Sequence, residues 1–188
     1  MYTAKEISNE FGGGKKMDVG IHENCELTSV KVGENFIDFN YQNSKGDIHN
    51  KRVWFPEPTK VYVREDETDA QALERSKKDA LAHVVKHMNI FLTKEQVDTF
   101  SAPDFVSFVR GAAELLEANK DSAKVNLKLI PDNKLEYSTF GRYPDYVEKY
   151  TEGAPVGLKF SSWEQANRVD PFNAKSEPAP KSDLGSVI

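Results

Sequence analysis

Phe36-Ile37-Asp38-Phe39-Asn40-Tyr41-Gln42-Asn43-Ser44-Lys45-Gly46-Asp47-Ile48-His49-Asn50-Lys51-Arg52-Val53-Trp54-Phe55-Pro56 holds two alternating runs on either side of a turn. Successive side chains of a strand point to opposite faces, so Ile37, Phe39 and Tyr41 share one face and Phe36, Asp38 and Asn40 the other. Asn43 to Asp47 is a hairpin signal, because Asn and Gly tolerate the positive φ that tight turns demand. The second arm runs from about Ile48 to Phe55 and stops at Pro56 and Pro58, which cannot donate to a ladder. Upstream, Thr28, Val30 and Val32 alternate with Leu27, Ser29 and Lys31 over Cys25 to Val32, and Gly33-Glu34-Asn35 turns into Phe36. Together these segments predict a three-stranded antiparallel meander.

Beyond a short candidate strand at Val61-Tyr62-Val63, the apolar period changes from two to 3.6. Thr68 with Gln71 forms a capping-box pattern, followed by the stripe Leu73, Ala80, Leu81, Val84, Val85, Met88 and Phe91. Thr93 with Gln96 repeats the cap for a short helix. Another helix begins near Pro103 and is lined by Phe105, Val106, Phe108, Val109, Ala112, Ala113, Leu115 and Leu116. Strand chemistry then returns: Val125, Leu127 and Leu129 alternate with Asn126 and Lys128, Pro131 to Lys134 turns, and Leu135 to Phe140 is extended. Three strands, helices and two more strands give an α+β, mainly β chain: a five-stranded antiparallel Greek-key barrel with its helices inserted between the third and fourth strands. An open sheet with helices stacked on one side would produce the same order. The expected organisation is a flexible leader over 1–19 around Gly12-Gly13-Gly14, a domain over 20–152, and an extended segment over 153–188 that becomes a mobile tail from about 176.

The 188 residues carry a formal charge of −5, which excludes a protein that coats duplex DNA by charge alone. No apolar run approaches the ~18 residues of a membrane span, and Met1 to Glu6 has no secretory pattern, so a cytoplasmic protein without a membrane partner is expected. Cys25 is the single cysteine, which fits a reducing compartment and excludes an internal disulfide.

Motifs for chemistry fail one by one. Gly12-Gly13-Gly14-Lys15-Lys16-Met17 has Asn9 where a phosphate loop needs its first glycine, and no Ser or Thr follows the lysine. His83 and His87 are one helical turn apart, but the glutamate of a zinc-protease motif is replaced by Val84 and no third ligand is near, so a solvated or half-buried pair is expected. Asp66, Glu67 and Asp69 suit a helix N-terminus better than a metal centre. Cys25 has no partner at a recognisable spacing for nucleophilic chemistry, and His22 with Glu23 fits an anchoring role. No cofactor, metal or catalytic residue is expected.

Strand alternation places Phe36, Asn50, Arg52 and Trp54 outward, with Lys31 on the outward face of the first strand. Exposed rings beside cations suit sequence-tolerant binding of single strands, since every base has a π-face and every nucleotide a phosphate. The same residues also fit a packed arrangement, with Phe36 and Trp54 beneath the first helix and Arg52 snorkelling at its edge. A second cluster, Tyr137, Phe140, Arg142, Tyr143 and Tyr146, reads either as the other wall of a groove or as a packed corner.

Gly20-Ile21-His22-Glu23-Asn24-Cys25-Glu26-Leu27-Thr28-Ser29-Val30-Lys31, Phe36 to Asn40 and Lys51 to Pro56 resemble the opening of small phage-encoded single-stranded DNA-binding proteins. The resemblance covers about the first third of the chain. It implies an OB-like barrel and a non-catalytic role in phage DNA replication or recombination, with single-stranded DNA and replication proteins as partners. On that expectation Phe36, Trp54 and Phe140 stack bases, and Lys31, Arg52, Lys60, Lys128 and Arg142 contact phosphates. The C-terminus departs from the family's better-known members, which end in an acidic tail with a terminal aromatic. Ser176 to Ile188 has only Glu177 and Asp183 against Lys181. The rival expectations are a phage structural or assembly protein acting through protein contacts and a metal-dependent nuclease.

Overall fold

The computed structural model describes residues 15–176; the triple glycine and the chain beyond 176 lie outside the described residues. The meander forms as β1 (Gly20–Val32), β2 (Phe36–Gln42) and β3 (Ile48–Trp54), with a turn at Asn43 to Asp47 in which Gly46 takes φ 83°. No strand forms at Val61 to Val63; Val61 is a bend and Tyr62 and Val63 are irregular.

β1 is long enough to serve two neighbours. Glu26 to Val32 pair with β2, while Gly20 to Cys25 pair with β4 (Val125–Pro131), and the ladder changes sides at an irregularity where Asn24 sits at φ 56°. A bulge between Leu27 and Ser29 corrects the simple alternation of this strand. Thr28 is the extra residue and faces solvent, so Leu27 joins Cys25 and Val30 on the buried face instead of opposing Val30. Past the end of β4, the Val30 amide donates to the Glu117 carboxylate at 2.6 Å, which satisfies a strand edge that lacks a ladder partner.

The strand order is β3-β2-β1-β4-β5, with β5 (Ser138–Phe140) on one half of a β4 edge and β6 (Val147–Lys149) on the other half. The two ends of this path approach each other. His49 Nε2 donates to the Ser138 carbonyl at 3.1 Å, and Lys51 Nζ donates to the Gly141 carbonyl at 2.8 Å. Lys15 to Met17 closes the rest: Ile48 N–H donates to Lys15 O, Met17 N–H to Ile48 O, and the Ser138 hydroxyl to Met17 O. Met17 is fully buried, so the last part of the expected leader belongs to the barrel. The result is a nearly closed five-stranded antiparallel barrel with helices inserted between β3 and β4, an OB-like order, and the open-sheet alternative falls.

Three helices fill the insertion: α1 (Asp69–Phe91), α2 (Lys94–Thr99) and α3 (Phe105–Asn119). Both expected capping boxes are present at Thr68/Gln71 and Thr93/Gln96, and Asp104 caps α3 by accepting from Ser107 N–H. Ala80, Val84, Met88 and Phe91 of α1 and Val109, Ala112, Ala113 and Leu116 of α3 join Ile37, Phe39, Tyr41 and Val53 in one core. Each large apolar side chain buried there contributes about 2 kcal/mol. Among the described residues, no helix is long and apolar enough to cross a membrane.

His83 and His87 are buried, not solvated. The His87 ring stacks on Phe39 at 3.8 Å between centroids, its Nδ1 donates to His83 O at 2.6 Å, and its Nε2 meets the Tyr41 hydroxyl. His83 Nε2 donates to Arg142 O at 2.9 Å, with Nδ1 3.3 Å from the Tyr146 hydroxyl. Burial pulls the His83 pKa down to about 4, with the Lys51 charge adding to the effect, and pulls that of His87 down to about 3. Both rings are neutral spacers between α1 and the barrel.

The chain beyond 152 also differs from expectation. Ser162–Glu164, a π-helical turn at Gln165–Val169 and Asp170–Ser176 follow without a break and lie across β4. Pro171 has no N–H for the ladder, so the widened turn before it accommodates the missing bond. Val169 is buried and Arg168 donates to Pro131 O at 3.5 Å and to Asn133 Oδ1, pinning this segment to the barrel.

Candidate nucleic-acid interface

The outward face of β2 and β3 is a ladder of three cross-strand pairs: Phe36 opposite Trp54, Asp38 opposite Arg52, and Asn40 opposite Asn50. Directly opposed side chains lie close enough to interact, and each pair does. The Phe36 and Trp54 rings meet edge to face at 5.6 Å. Arg52 donates to Asp38 through Nε at 2.8 Å and Nη2 at 2.7 Å, and Asn50 Nδ2 donates to Asn40 Oδ1 at 3.0 Å. The guanidinium lies 3.8 Å from the Phe36 centroid and 5.2 Å from that of Trp54, so Arg52 holds both rings. Its pKa is raised above the usual guanidinium value by the bonds to Asp38.

Trp54 is 58% exposed, which rules out packing beneath the first helix. Phe36 is half-buried, its ring folded back over the β1–β2 turn. A Cβ at Gly33 would lie 2.4 Å from that ring, so this turn needs a glycine for the ring to rest where it does. Lys31 is exposed on β1 opposite Asp38, which places it beside Arg52 with one strand between them.

Next to this face, β3, the loop after Pro56 and α1 enclose a groove of about 740 Å³. Trp54 and Arg52 stand at its rim, with Lys60, Arg75, Lys51 and Arg142 also lining it. Three of these cations sit in ion pairs: Arg52 with Asp38, Lys60 with Glu57 at 2.8 Å, and Arg75 with Glu67 at 2.8 Å. The Lys60–Glu57 pair is exposed and worth only about 0–1 kcal/mol, so an incoming phosphate can exchange with Glu57 at little cost, whereas Asp38, Glu67 and Arg75 are largely buried in their pairs. Arg75 also donates to Tyr62 O at 2.7 Å, which ties the loop to α1. Half-buried Lys51 lies 5.1 Å from the Tyr146 centroid, and burial pulls its pKa down to about 8 against the opposing pull of Asp145.

The expected site residues divide. Lys31, Phe36, Arg52, Trp54, Lys60 and Arg142 lie on this face or around this groove. Lys128 does not: its side chain is 2% exposed, and Nζ is held by Asp145 at 2.8 Å and Glu164 at 3.1 Å. Phe140 is also inside, 6% exposed, with its ring against His49 and Tyr146 at 4.8 Å and Tyr41 at 5.6 Å. Phe140 and Tyr146 therefore form a packed corner, while Tyr137, Arg142 and Tyr143 of the same cluster are exposed. Lys51 and Arg75 escaped the sequence reading. Both have a strand or helix position that gives no hint of a groove, which forms only when the loop after Pro56 folds against α1.

The arrangement offers ring faces and cations. Burial pushes the Cys25 thiol up to about 12, and among the described residues no group of His, Cys, Asp or Glu side chains is placed to hold a metal ion. Comparison with family models, curated proteins and solved structures finds no match for this chain.

Proposed function

We propose that the protein is a non-catalytic single-stranded DNA-binding protein, with the outward face of β2 and β3 as its base-stacking platform and the adjoining groove as its phosphate track. The observation that carries this reading is Trp54, 58% exposed and held beside Phe36 by the Arg52 guanidinium. A base stacked on an exposed indole contributes about 1–3 kcal/mol whatever its sequence. The Gly20 to Pro56 resemblance supports DNA replication or recombination in a phage as the setting.

Bases stack on Trp54 and Phe36 while Lys31, Lys60 and Arg142 meet phosphates, with Arg52 shared between ring support and phosphate. Discrimination against duplex DNA follows from the need for unstacked bases, and the net charge of −5 removes any general attraction to compensate. Fluorescence anisotropy with labelled oligo(dT) and a matched duplex tests the reading. Tight, salt-sensitive binding to the single strand alone is expected; equal or absent binding to the two overturns it.

A further inference from the structure

Four of the five strongly exposed aromatic side chains among the described residues carry a cation at their ring. Trp54 has Arg52, Tyr137 has Lys16 at 5.4 Å, Tyr143 has Arg142 at 5.7 Å, and Trp163 has Arg168 at 5.5 Å; Tyr62 is the exception. Three of these pairs lie away from the β2–β3 face. One member of each, Tyr137, Arg142 and Arg168, lines a second groove of about 470 Å³ between the β4–β5 turn and the C-terminal helical segment, together with Lys134.

Arg142 lines both grooves, so they meet at its side chain. The second groove is also electrostatically different from the first. Its one carboxylate, Asp132, is taken up by the backbone N–H groups of Lys134, Glu136 and Tyr137 at 2.7–3.1 Å, and so is turned toward the turn's own amides. Lys134, Arg142 and Arg168 leave that wall net positive, and Lys175 lies beside it with Nζ 3.4 Å from Lys134 O. Arg168 is fixed by Asn133 and Pro131 O in a position from which it also supports the Trp163 ring.

We infer that the single-strand track continues past Arg142 onto this second platform, with Trp163 as its outer stacking residue and Arg168 and Lys134 as phosphate ligands. This rests on the proposed function of the first platform. It gives the C-terminal segment a direct part in binding: Trp163 and Arg168 come from chain outside the barrel, and extend the footprint beyond what the strands alone offer.

The chain has two tryptophans, one on each platform, so each reports its own site. Trp54→Phe leaves Trp163 as the only indole, and Trp163→Phe leaves Trp54. Oligo(dT) of about 16 nucleotides, the upper end of the span for one such barrel, is titrated into each variant. Quenching of both indoles at saturation is expected. Trp163→Ala should weaken binding of that oligonucleotide about tenfold, the worth of one stacked base, with Trp163→Phe restoring most of it. Trp163 is 59% exposed, and an unchanged melting temperature for the alanine variant separates lost stacking from lost structure. Quenching of Trp54 with a silent Trp163 overturns the second platform and leaves the first intact. Silence of both indoles, together with no anisotropy change, overturns the proposed function itself.

Discussion

β3 and β4 carry nearly the same alternation on their outward faces: Asn50, Arg52 and Trp54 on one, Asn126, Lys128 and Ile130 on the other. Arg52 and Trp54 are open to solvent, whereas all seven residues of β4 are buried. The difference is what comes later in the chain. No later segment of the described structure folds over Trp54, but the segment ending at Ser176 brings Glu164 down onto Lys128. Alternation determines which residues leave the barrel core; whether they reach solvent depends on segments far away in sequence.

The largest expected effect comes from acid, which attacks the covered side of the molecule. His83 and His87 are held neutral, with pKa values near 4 and 3 against 6.5 in the unfolded chain, so between those values the unfolded state binds more protons. The contribution of the pair is therefore fully present above about pH 6.5 and is lost as pH falls toward 4, by several kcal/mol in total. Urea midpoints measured from pH 7.5 to 4.5 check the sign; a flat profile would mean that the rings are not buried as described.

Lys128→Met breaks the covered face next. It leaves Glu164 largely buried without its cation, at a cost of about 3 kcal/mol. Thermal melting should record the loss, while affinity for short oligonucleotides stays within error, because Lys128 is no phosphate ligand. A large affinity loss at unchanged stability would return Lys128 to the binding site.

Trp54→Ala reverses that pattern on the open face. Affinity for oligo(dT) should fall by about 1–3 kcal/mol, and stability should hardly move, since over half of the side chain is already in water. Gly33→Ala is the smallest change: the new methyl pushes the Phe36 ring off its seat and weakens binding only by a fraction of the Trp54 effect. Titrations of the two variants side by side rank them.

The same contrast explains what the sequence conveyed. The hairpin faces were legible because Ile37, Phe39 and Tyr41 obey period two against polar neighbours, and the helix starts because Thr68 and Thr93 carry local capping signatures. The β1 faces misled because one bulged residue, Thr28, inverts every assignment on one side of it. Lys128 and Phe140 misled for a long-range reason: a lysine on an alternating strand looks the same whether water or Glu164 waits above it. Lys16 and Met17 looked like leader because three glycines precede them, yet the gap between β3 and β5 is filled by that very stretch.

Chemical-shift mapping of the ¹⁵N-labelled protein with oligo(dT) locates the bound strand without a mutation. The largest perturbations are expected at the Trp54 indole N–H and the amides of Phe36, Asp38 and Arg52. Perturbations absent altogether, or confined to the apolar groove between Val32 and Ala113, would contradict the proposed platform and favour a role in protein contacts.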